Sequence, residues 1–249
     1  MCSSPPSSLP ISATSHVSSN PICTYNVDYH DGSHSDGFFA KEKLTLTPAD
    51  VLANFQFGCG QNNYGTFGDT AGIFGLGPGP RSFVSQTAQI YAKFFSYCLP
   101  THSSTGNLIF GRGDARRSRT VKFTALSIEH GHYSITMQGI TMDGKRLDIP
   151  VQVLSTPPTV VDSGADITYL PPSAYATMRS VFRSKMSKYP IIPPIEPFDT
   201  CYDFSRYKYV LVPKISFYFN GGVEVELDAN GILHWLDGHE ELFGFCSQR

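Results

Sequence analysis

The sequence is poor in charge, and what it lacks excludes several classes of protein. Only 16% of its 249 residues are charged and the net charge is -2, with no long basic run, so nothing indicates a nucleic-acid partner. No window approaches the apolar length of a membrane span, so we expect no membrane segment. The chain also lacks a Gly-x-Ser-x-Gly sequence, which carries the serine nucleophile of many hydrolases.

The six cysteines are widely spaced, without the close pairs that are typical of zinc sites. An even number of dispersed cysteines favours disulfides in an oxidising compartment, although composition leaves the pairing open. They are Cys2, Cys23, Cys59, Cys98, Cys201 and Cys246. The histidine pairs His30 with His34 and His130 with His132 lack a convincing third ligand, so we predict that the chain holds no metal.

Residues 1–22 are rich in serine and proline and have little hydrophobic periodicity, which indicates a loop or a disordered arm. The chain starts without a basic segment or an apolar run, so we expect no signal peptide, whereas the cysteines favour secretion. A truncated gene or gene model would account for both observations.

From Cys23 onward the sequence has the pattern of short β-strands. Apolar and polar residues alternate from residue 25 to 29, a turn sequence follows at Asp31-Gly32-Ser33, and a second strand is expected through Leu46. This pattern predicts a β-hairpin whose tip is His30 to Ser35. Further strands are expected at Asn54–Phe57, Asn107–Phe110, His132–Met137, Val151–Leu154, Thr159–Val161 and Ile215–Phe219.

Two segments have helical periodicity. Ser82 is suited to cap a helix through Ile90, and Ser173 one through Met186. In the second segment the apolar residues share one face, and they are Tyr175, Met178, Phe182 and Met186. Many strands and few helices, with 22 glycines and 18 prolines, predict a mainly β protein.

Asp162 directly follows the apolar run Thr159–Val161 and opens an Asp-Ser-Gly turn. Such a turn usually lies on the surface, with the aspartate capping its own loop. If the run is a buried strand, desolvation raises the pKa of the carboxylate unless the Ser163 hydroxyl and backbone N–H groups at Gly164 donate to it. Residues 72–79 form a second apolar run that enters glycines, so we expect both runs to be short strands that end in tight turns.

Asp162 also lies within a longer pattern, which runs from Val160 to Pro172 and continues at Tyr175 and Phe182. Other parts of the chain carry motifs that occur together with this pattern. They are Tyr29 with Asp31-Gly32-Ser33 and Gly37, Phe57–Gly60, Gly72–Gly77, Tyr97–Pro100 and Asp199–Phe204. Taken together, residues 23–246 resemble the pepsin-like aspartic endopeptidases, and most closely their plant nepenthesin-like branch.

The resemblance implies a bilobal, mainly β pepsin-like fold with one catalytic aspartate in each lobe, here residues 1–124 and 125–249. It implies acid-favoured hydrolysis of polypeptides by activated water, with no metal or organic cofactor. Asp162 matches the catalytic aspartate of the second lobe, and Ser163, Gly164 and Ala165 match its supporting loop. Tyr29, Asp31, Gly32 and Ser33 match the flap, a hairpin that closes over substrate. The resemblance further implies that the protein is a monomer and that it is extracellular or vacuolar.

The chain departs from the pattern of this family at several points. No Asp-Thr-Gly-Ser loop precedes the hairpin, and the nearest sequence, Asp69-Thr70-Ala71-Gly72, lies at the entry to the apolar–glycine run. Ala165 replaces the usual threonine, and His30 stands where glycine is usual, which puts the geometry of the hairpin tip in question. The final segment of the family is expected after Cys246. We therefore predict a fold that is incomplete in both lobes.

The resemblance also implies three disulfides, Cys59 with Cys98, Cys201 with Cys246, and Cys2 with Cys23. The resulting prediction is an aspartic-type endopeptidase homologue that is catalytically incomplete as this chain. The alternative is a non-catalytic, protein-binding homologue, similar to the xylanase-inhibitor relatives of the family. A product of a decayed gene that does not fold is the third interpretation.

Overall fold

The computed structural model describes residues 22–100, 104–112, 121–236, 240–243 and 245–247. The chain divides into two compact units, Met1–Arg119 and Thr120–Arg249, and the sequence-based boundary at residue 124 falls shortly after this division. Within the described residues there are eighteen strands, five α-helices and one 3-10 helix (Asn220–Gly222), which confirms the prediction of a mainly β protein.

The first unit is built on a three-stranded antiparallel meander in the order β1-β2-β3. Its strands are β1 (Thr24–Asp28), β2 (His34–Thr45) and β3 (Val51–Tyr64). A second, two-stranded sheet pairs β4 (Phe95–Cys98) with β5 (Asn107–Phe110). The hairpin predicted near the start of the chain is confirmed as β1 and β2, and β5 has the predicted bounds.

The helix predicted from Ser82 to Ile90 is interrupted at Thr87. Ser82 does act as its cap, since its Oγ accepts a hydrogen bond from the N–H of Ser85 at 3.2 Å. However, α1 (Phe83–Gln86) ends there, and α2 (Ala88–Tyr91) follows as a separate turn. The Thr87 hydroxyl donates to the carbonyl oxygen of Phe83 at 2.7 Å, a side-chain bond of the kind that bends helices.

The described residues of the second unit form four sheets, with strand orders β10-β7-β6, β15-β14-β8-β9, β12-β13-β17-β16 and β11-β18. Its strands are β6 (Ser127–Glu129), β7 (His132–Ile135), β8 (Met137–Met142), β9 (Lys145–Arg146), β10 (Thr159–Val160), β11 (Thr168–Leu170), β12 (Ile191–Ile192), β13 (Cys201–Asp203), β14 (Ile215–Phe219), β15 (Val223–Leu227), β16 (Leu233–Leu236), β17 (Glu240–Phe243) and β18 (Phe245–Ser247). Its helices are α3 (Val151–Ser155), α4 (Pro172–Lys185) and α5 (Ala229–Ile232).

Helix α4 organises the core of the second unit. Pro172 is its first residue and Pro171 its cap, where the missing N–H of proline costs nothing, so the helix begins ahead of the predicted Ser173. The predicted apolar face is confirmed, because four side chains on it are at most 3% exposed: Tyr175, Met178, Phe182 and Met186. They pack in one cluster with residues of the sheet β15-β14-β8-β9, including Ile140 and Ile215.

Two predicted strands are absent from the described structure. Val151–Leu154 belongs to α3, since a short apolar run does not distinguish a strand from a helical turn, and this one buries only Leu154. Residues 72–79 are irregular, and Ile73 and Phe74 are 61% and 44% exposed. A strand needs a neighbour to accept its backbone hydrogen bonds, and no described strand pairs with this segment.

Candidate functional site

Asp162 stands where the chain leaves a short strand and turns. The last ladder bond is donated by the N–H of Val161 to the carbonyl of Tyr133 at 2.8 Å, after which the chain leaves the sheet. The N–H of Gly164 donates to Oδ1 of Asp162 at 2.8 Å, and the N–H of Ala165 reaches the Asp162 carbonyl at 3.4 Å. The tight turn with a backbone donor from Gly164, predicted from Asp-Ser-Gly, is therefore present.

The run that leads into this turn is not buried. Val160 and Val161 are 47% and 40% exposed, and Asp162, Ser163 and Ala165 are exposed as well. The expectation of a buried strand is wrong because β10 has only two residues and lies at the edge of its sheet, paired on one side. The carboxylate of Asp162 is consequently open to solvent, and one of its oxygens is oriented by a backbone N–H.

The tip of the β1–β2 hairpin is a three-residue turn. The N–H of Gly32 donates to the carbonyl of Tyr29 at 3.0 Å, and the N–H of Tyr29 donates to the carbonyl of Ser33 at 2.8 Å. Gly32 has a φ of 82°, the left-handed conformation that this turn type needs at its last residue. His30 does not have a positive φ, so a side chain fits at the position where the resembled family has glycine.

Asp31 anchors this tip through three hydrogen bonds that its carboxylate accepts from Ser33 and Thr66. It accepts from the N–H of Ser33 at 2.9 Å and from the Ser33 hydroxyl at 2.8 Å, and the Thr66 hydroxyl also donates to it. The N–H of Thr66 in turn donates to Oγ of Ser33 at 2.9 Å. The bond from Thr66, followed by those from Ser33, lowers the pKa of Asp31 to about 2. Sequence reasoning missed Thr66, since no local pattern marks it.

Beneath the tip lies a cavity of about 490 Å³ between the hairpin and the segment that follows β3. Its aromatic and apolar lining includes Tyr25, Tyr29, Phe39, Tyr64, Phe67 and Ile73. The rings of Tyr29 and Phe67 meet edge to face, with 5.6 Å between centroids. Burial raises the pKa of Tyr29, and nearby Tyr25 and Asp31 add to the rise, so its hydroxyl stays protonated and available as a donor.

The candidate residues fall into two groups, each described within its own unit. Tyr29, Asp31, Gly32 and Ser33 lie together at the hairpin tip in the first unit, and Asp162 lies in the second. Among the described residues, no second carboxylate shares a hydrogen-bond donor with Asp162. The described part of the chain also contains no cluster of three His, Cys, Asp or Glu side chains suited to a metal ion.

The resemblance implied three cysteine pairings, and the described residues include four of the six cysteines and the backbone of a fifth. Cys59 and Cys98 are free cysteines, so a disulfide between them is not confirmed. Cys23 is disulfide-bonded, and Cys2, its predicted partner, lies outside the described residues. Cys201 is buried and its thiol lies 3.8 Å from the carbonyl oxygen of Phe198, while the side chain of Cys246 is not described, so that pairing stays a prediction.

Two family models match the chain in succession. The model described as "Xylanase inhibitor N-terminal" matches residues 1–112, and the one described as "Xylanase inhibitor C-terminal" matches residues 132–243. In the described part of the chain no helix has the length and apolarity to cross a membrane.

Comparison with curated proteins finds plant aspartic proteases. An aspartyl protease family protein of Arabidopsis thaliana is 50% identical over 85% of this chain and 45% of its own length. Aspartyl protease AED1 of the same plant is 47% identical over 84% of this chain and 46% of its own length. Aspartic proteinase nepenthesin-2 of Nepenthes gracilis is 34% identical over 84% of this chain and 50% of its own length. The chain thus spans about half the length of the curated relatives it matches.

Two solved structures share the fold. Basic 7S globulin from soybean superimposes with a TM-score of 0.74 at 20% identity, covering 96% of this chain and 66% of the globulin. Conglutin gamma from lupine seeds gives a TM-score of 0.72 at 21% identity, covering 90% and 64%. These likenesses establish the fold alone, and the sequence relatives establish the family. The chain belongs to the pepsin-like aspartic proteases, in the plant branch that includes nepenthesin-2.

Proposed function

We propose that this chain supplies Asp162 as the second-lobe aspartate of an aspartic-type endopeptidase site, and that its 249 residues alone do not hydrolyse peptides. The observation that carries the proposal is the exposed Asp162 carboxylate, which the N–H of Gly164 orients on an Asp-Ser-Gly turn. Relatives at 50% and 47% identity carry the name aspartyl protease, which supports the assignment of the reaction class.

The chemistry explains why one aspartate does not suffice. In acid proteolysis an ionised carboxylate takes a proton from the attacking water, while a protonated carboxyl group donates a hydrogen bond to the scissile carbonyl. Two neighbouring carboxyl groups share one proton and so supply both forms at once. Asp162 lies in the only Asp-Ser-Gly or Asp-Thr-Gly sequence among the 249 residues, so the chain has one of these two roles to offer.

The hairpin and its cavity are proposed to bind the polypeptide substrate. The aromatic lining, with Tyr29, Phe39 and Phe67, suits an apolar side chain, because burial of apolar surface favours binding. The hydroxyl of Tyr29 stays protonated and can donate to a peptide carbonyl. Flap closure over a bound peptide would exclude water from such a site.

The first experiment measures cleavage of a fluorogenic peptide library by the purified chain at about pH 4, where one carboxyl group of a coupled pair is protonated. We expect no turnover above a blank. Pepstatin-sensitive cleavage that disappears in Asp162→Asn would show that the chain contains a complete site, and it would overturn the proposal.

A graft tests the assigned role of Asp162 directly. The part of the Arabidopsis relative that this chain does not match is joined to the chain, which gives a protein of the relative's full length. We expect pepstatin-sensitive cleavage in the graft and its loss in Asp162→Asn. Asp166→Asn is the matched control, since Asp166 is an exposed aspartate of the same loop, and it should retain activity. Equal activity of the Asp162→Asn and Asp166→Asn grafts would show that Asp162 is not part of the catalytic site.

The second candidate function is protein binding without catalysis. It is favoured by the descriptions of the two family models, both of which name xylanase inhibitors, and by the single catalytic sequence. Titration calorimetry of the chain with a purified xylanase tests it. Binding that is unchanged in Asp162→Ala favours this function, and absence of binding counts against it.

We further infer that the protein works in an oxidising compartment, extracellular or vacuolar, because Cys23 is disulfide-bonded. Mass spectrometry of the protein purified without reductant from plant tissue tests this inference. A reduced Cys23 thiol in that material would contradict it.

A further inference from the structure

His34 lies at the tip end of the hairpin, directly after the turn. It is the first residue of β2 and lies directly across from Asp28, the last residue of β1. The residue is only 8% exposed, whereas the side chains of Asp28 and Asp36 are 77% and 38% exposed. A buried imidazole is thus enclosed by two carboxylates that face solvent.

Both ring nitrogens of His34 meet a carboxylate. Nδ1 lies 2.6 Å from Oδ1 of Asp28, and Nε2 lies 3.2 Å from Oδ2 of Asp36. Neutral imidazole has one N–H donor and one acceptor, so it donates to only one of these groups and turns a lone pair toward the other. Imidazolium donates to both. The geometry therefore matches the protonated ring.

The other neighbours of the ring agree with this assignment. The Tyr64 ring of β3 stacks on His34 with 4.8 Å between centroids, and the amide nitrogen of Asn62 donates to Asp36 at 3.0 Å. Among the described residues, the charged groups that act on His34 are both anions, Asp28 and Asp36. Their hydrogen bonds, with that of Asp28 the larger, raise the pKa of His34.

We propose that His34 is a proton-operated clamp, which fastens β1 to β2 beside the hairpin tip while it is protonated and releases this end of the hairpin when it loses the proton. Asp28 directly precedes Tyr29, and Tyr64 both stacks on His34 and lines the cavity. Protonation of His34 therefore affects the position of the hairpin tip and of one wall of the cavity. The inference concerns the opening of the hairpin and does not require that the chain take part in proteolysis.

The direction of the pKa shift of His34 determines how the stability of the hairpin changes with pH. The folded-state pKa of His34 lies above the ordinary 6.5, so its contribution is fully present below pH 6.5 and is lost as the pH rises through the raised pKa. Each pH unit within that interval reduces the ratio of closed to open hairpin by up to about tenfold. We therefore expect a hairpin that is held at acid pH and opens more often on the alkaline side.

Titration of the unmutated chain by NMR tests the protonation. The ring proton of His34 is assigned by its absence in His34→Gln, and its pKa is read from the chemical shift. We expect a value above 6.5 that falls in Asp28→Asn. A pKa at or below 6.5 in the unmutated chain would overturn the proposal, even if every variant fails to fold.

Hydrogen exchange tests the mechanical consequence. Protection of residues 24–38, corrected for the intrinsic pH dependence of exchange, should fall in the unmutated chain as the pH rises above 6.5, by up to about tenfold per pH unit. His34→Gln should remove this dependence, while His30→Gln, a change at an exposed residue of the same turn, should retain it. An equal loss of protection in helix α4, or an unchanged profile in His34→Gln, would refute the clamp.

Discussion

The backbone N–H of Thr66 donates to Oγ of Ser33 at 2.9 Å, and this bond joins the hairpin tip to the segment that follows β3. The chain can approach Ser33 this closely because the residue that precedes Thr66 is Gly65, which has no side chain and a φ of 116°. A Cβ there would lie 2.4 Å from Oγ and 2.5 Å from Cα of Ser33. The same contact brings the Thr66 hydroxyl to Asp31, so three residues from two segments form one polar cluster.

Thr66→Val should raise the pKa of Asp31 from about 2 toward its ordinary 3.8, because the Thr66 hydroxyl is the largest cause of the shift. A depressed carboxyl pKa gives stability that is present above pH 3.8 and is lost as the pH falls through about 2. The variant should therefore lose acid resistance at the hairpin tip. Carbon-detected NMR titration of Asp31 measures the change. Thr70→Val, which removes a hydroxyl bonded only to the Phe67 carbonyl in the described contacts, should leave the Asp31 titration unaltered.

Gly65→Ala should destabilise the hairpin tip more than Gly68→Ala. Both glycines have a positive φ, but an added Cβ meets Ser33 at residue 65 and open space at residue 68. Gly68→Ala should cost about 1–2 kcal/mol from backbone strain alone, and Gly65→Ala more. Chemical denaturation combined with hydrogen exchange of residues 29–36 makes the comparison. Equal losses would mean that the contact between Gly65 and Ser33 contributes nothing.

Phe182→Ala should destabilise the second unit by about 3–5 kcal/mol, because it empties a fully buried position in the core. Ser180→Ala, at an exposed position of the same helix α4, should stay within about 0.5 kcal/mol. Urea denaturation followed by the fluorescence of Trp235, the single tryptophan, reports on this unit. A loss below about 1 kcal/mol in Phe182→Ala would contradict the described packing.

Tyr202→Phe should leave the free energy of unfolding unchanged or raise it. The Tyr202 hydroxyl is buried without a hydrogen-bond partner among the described residues, and burial raises its pKa to about 12. Removing an unsatisfied buried hydroxyl recovers about 1–3 kcal/mol of desolvation cost. Tyr175→Phe is the matched control, since that hydroxyl donates to Asp199 and its loss should destabilise by about 1.5–3 kcal/mol. Thermal denaturation of both variants measures the two effects. A larger loss of stability in Tyr202→Phe than in Tyr175→Phe would contradict the description of the Tyr202 hydroxyl as unsatisfied.

Asp162→Asn should change the stability of the chain by less than about 0.5 kcal/mol, because the side chain is exposed and asparagine keeps an oxygen for the N–H of Gly164. Differential scanning calorimetry measures the effect. A larger loss would give Asp162 a structural role, and a loss of activity in the grafted protein would then no longer identify it as catalytic.

Local pattern was sufficient for several elements of the fold. Alternation around a turn sequence predicted the β1–β2 hairpin, and spacing predicted the buried face of α4, since both depend on residues close in sequence. Pattern failed at Val151–Leu154, where a short run with three apolar residues suits a strand and a helical turn equally. It failed again at residues 72–79, because a strand exists only where a partner strand pairs with it.

The polar clusters of the hairpin lay beyond the reach of sequence reasoning for a different reason. The register of β2 on β3 sets Tyr64 opposite His34 and Asn62 opposite Asp36. Nothing in either segment alone specifies that pairing. Thr66 and Ser33 are 33 residues apart, and their contact depends on the whole length of both strands.

By itself the sequence determined the family, the turn chemistry at Asp31-Gly32-Ser33 and Asp162-Ser163-Gly164, and the presence of a single Asp-Ser-Gly sequence, because these are properties of residue identity and short spacing. Only the tertiary structure decided which groups surround the polar side chains. It exposes Asp162 to solvent, brings the Thr66 hydroxyl to Asp31, and sets two carboxylates beside His34. Hydrogen bonds and burial act over a few ångströms, so they follow from strand register and packing, which bring together residues that the sequence keeps apart.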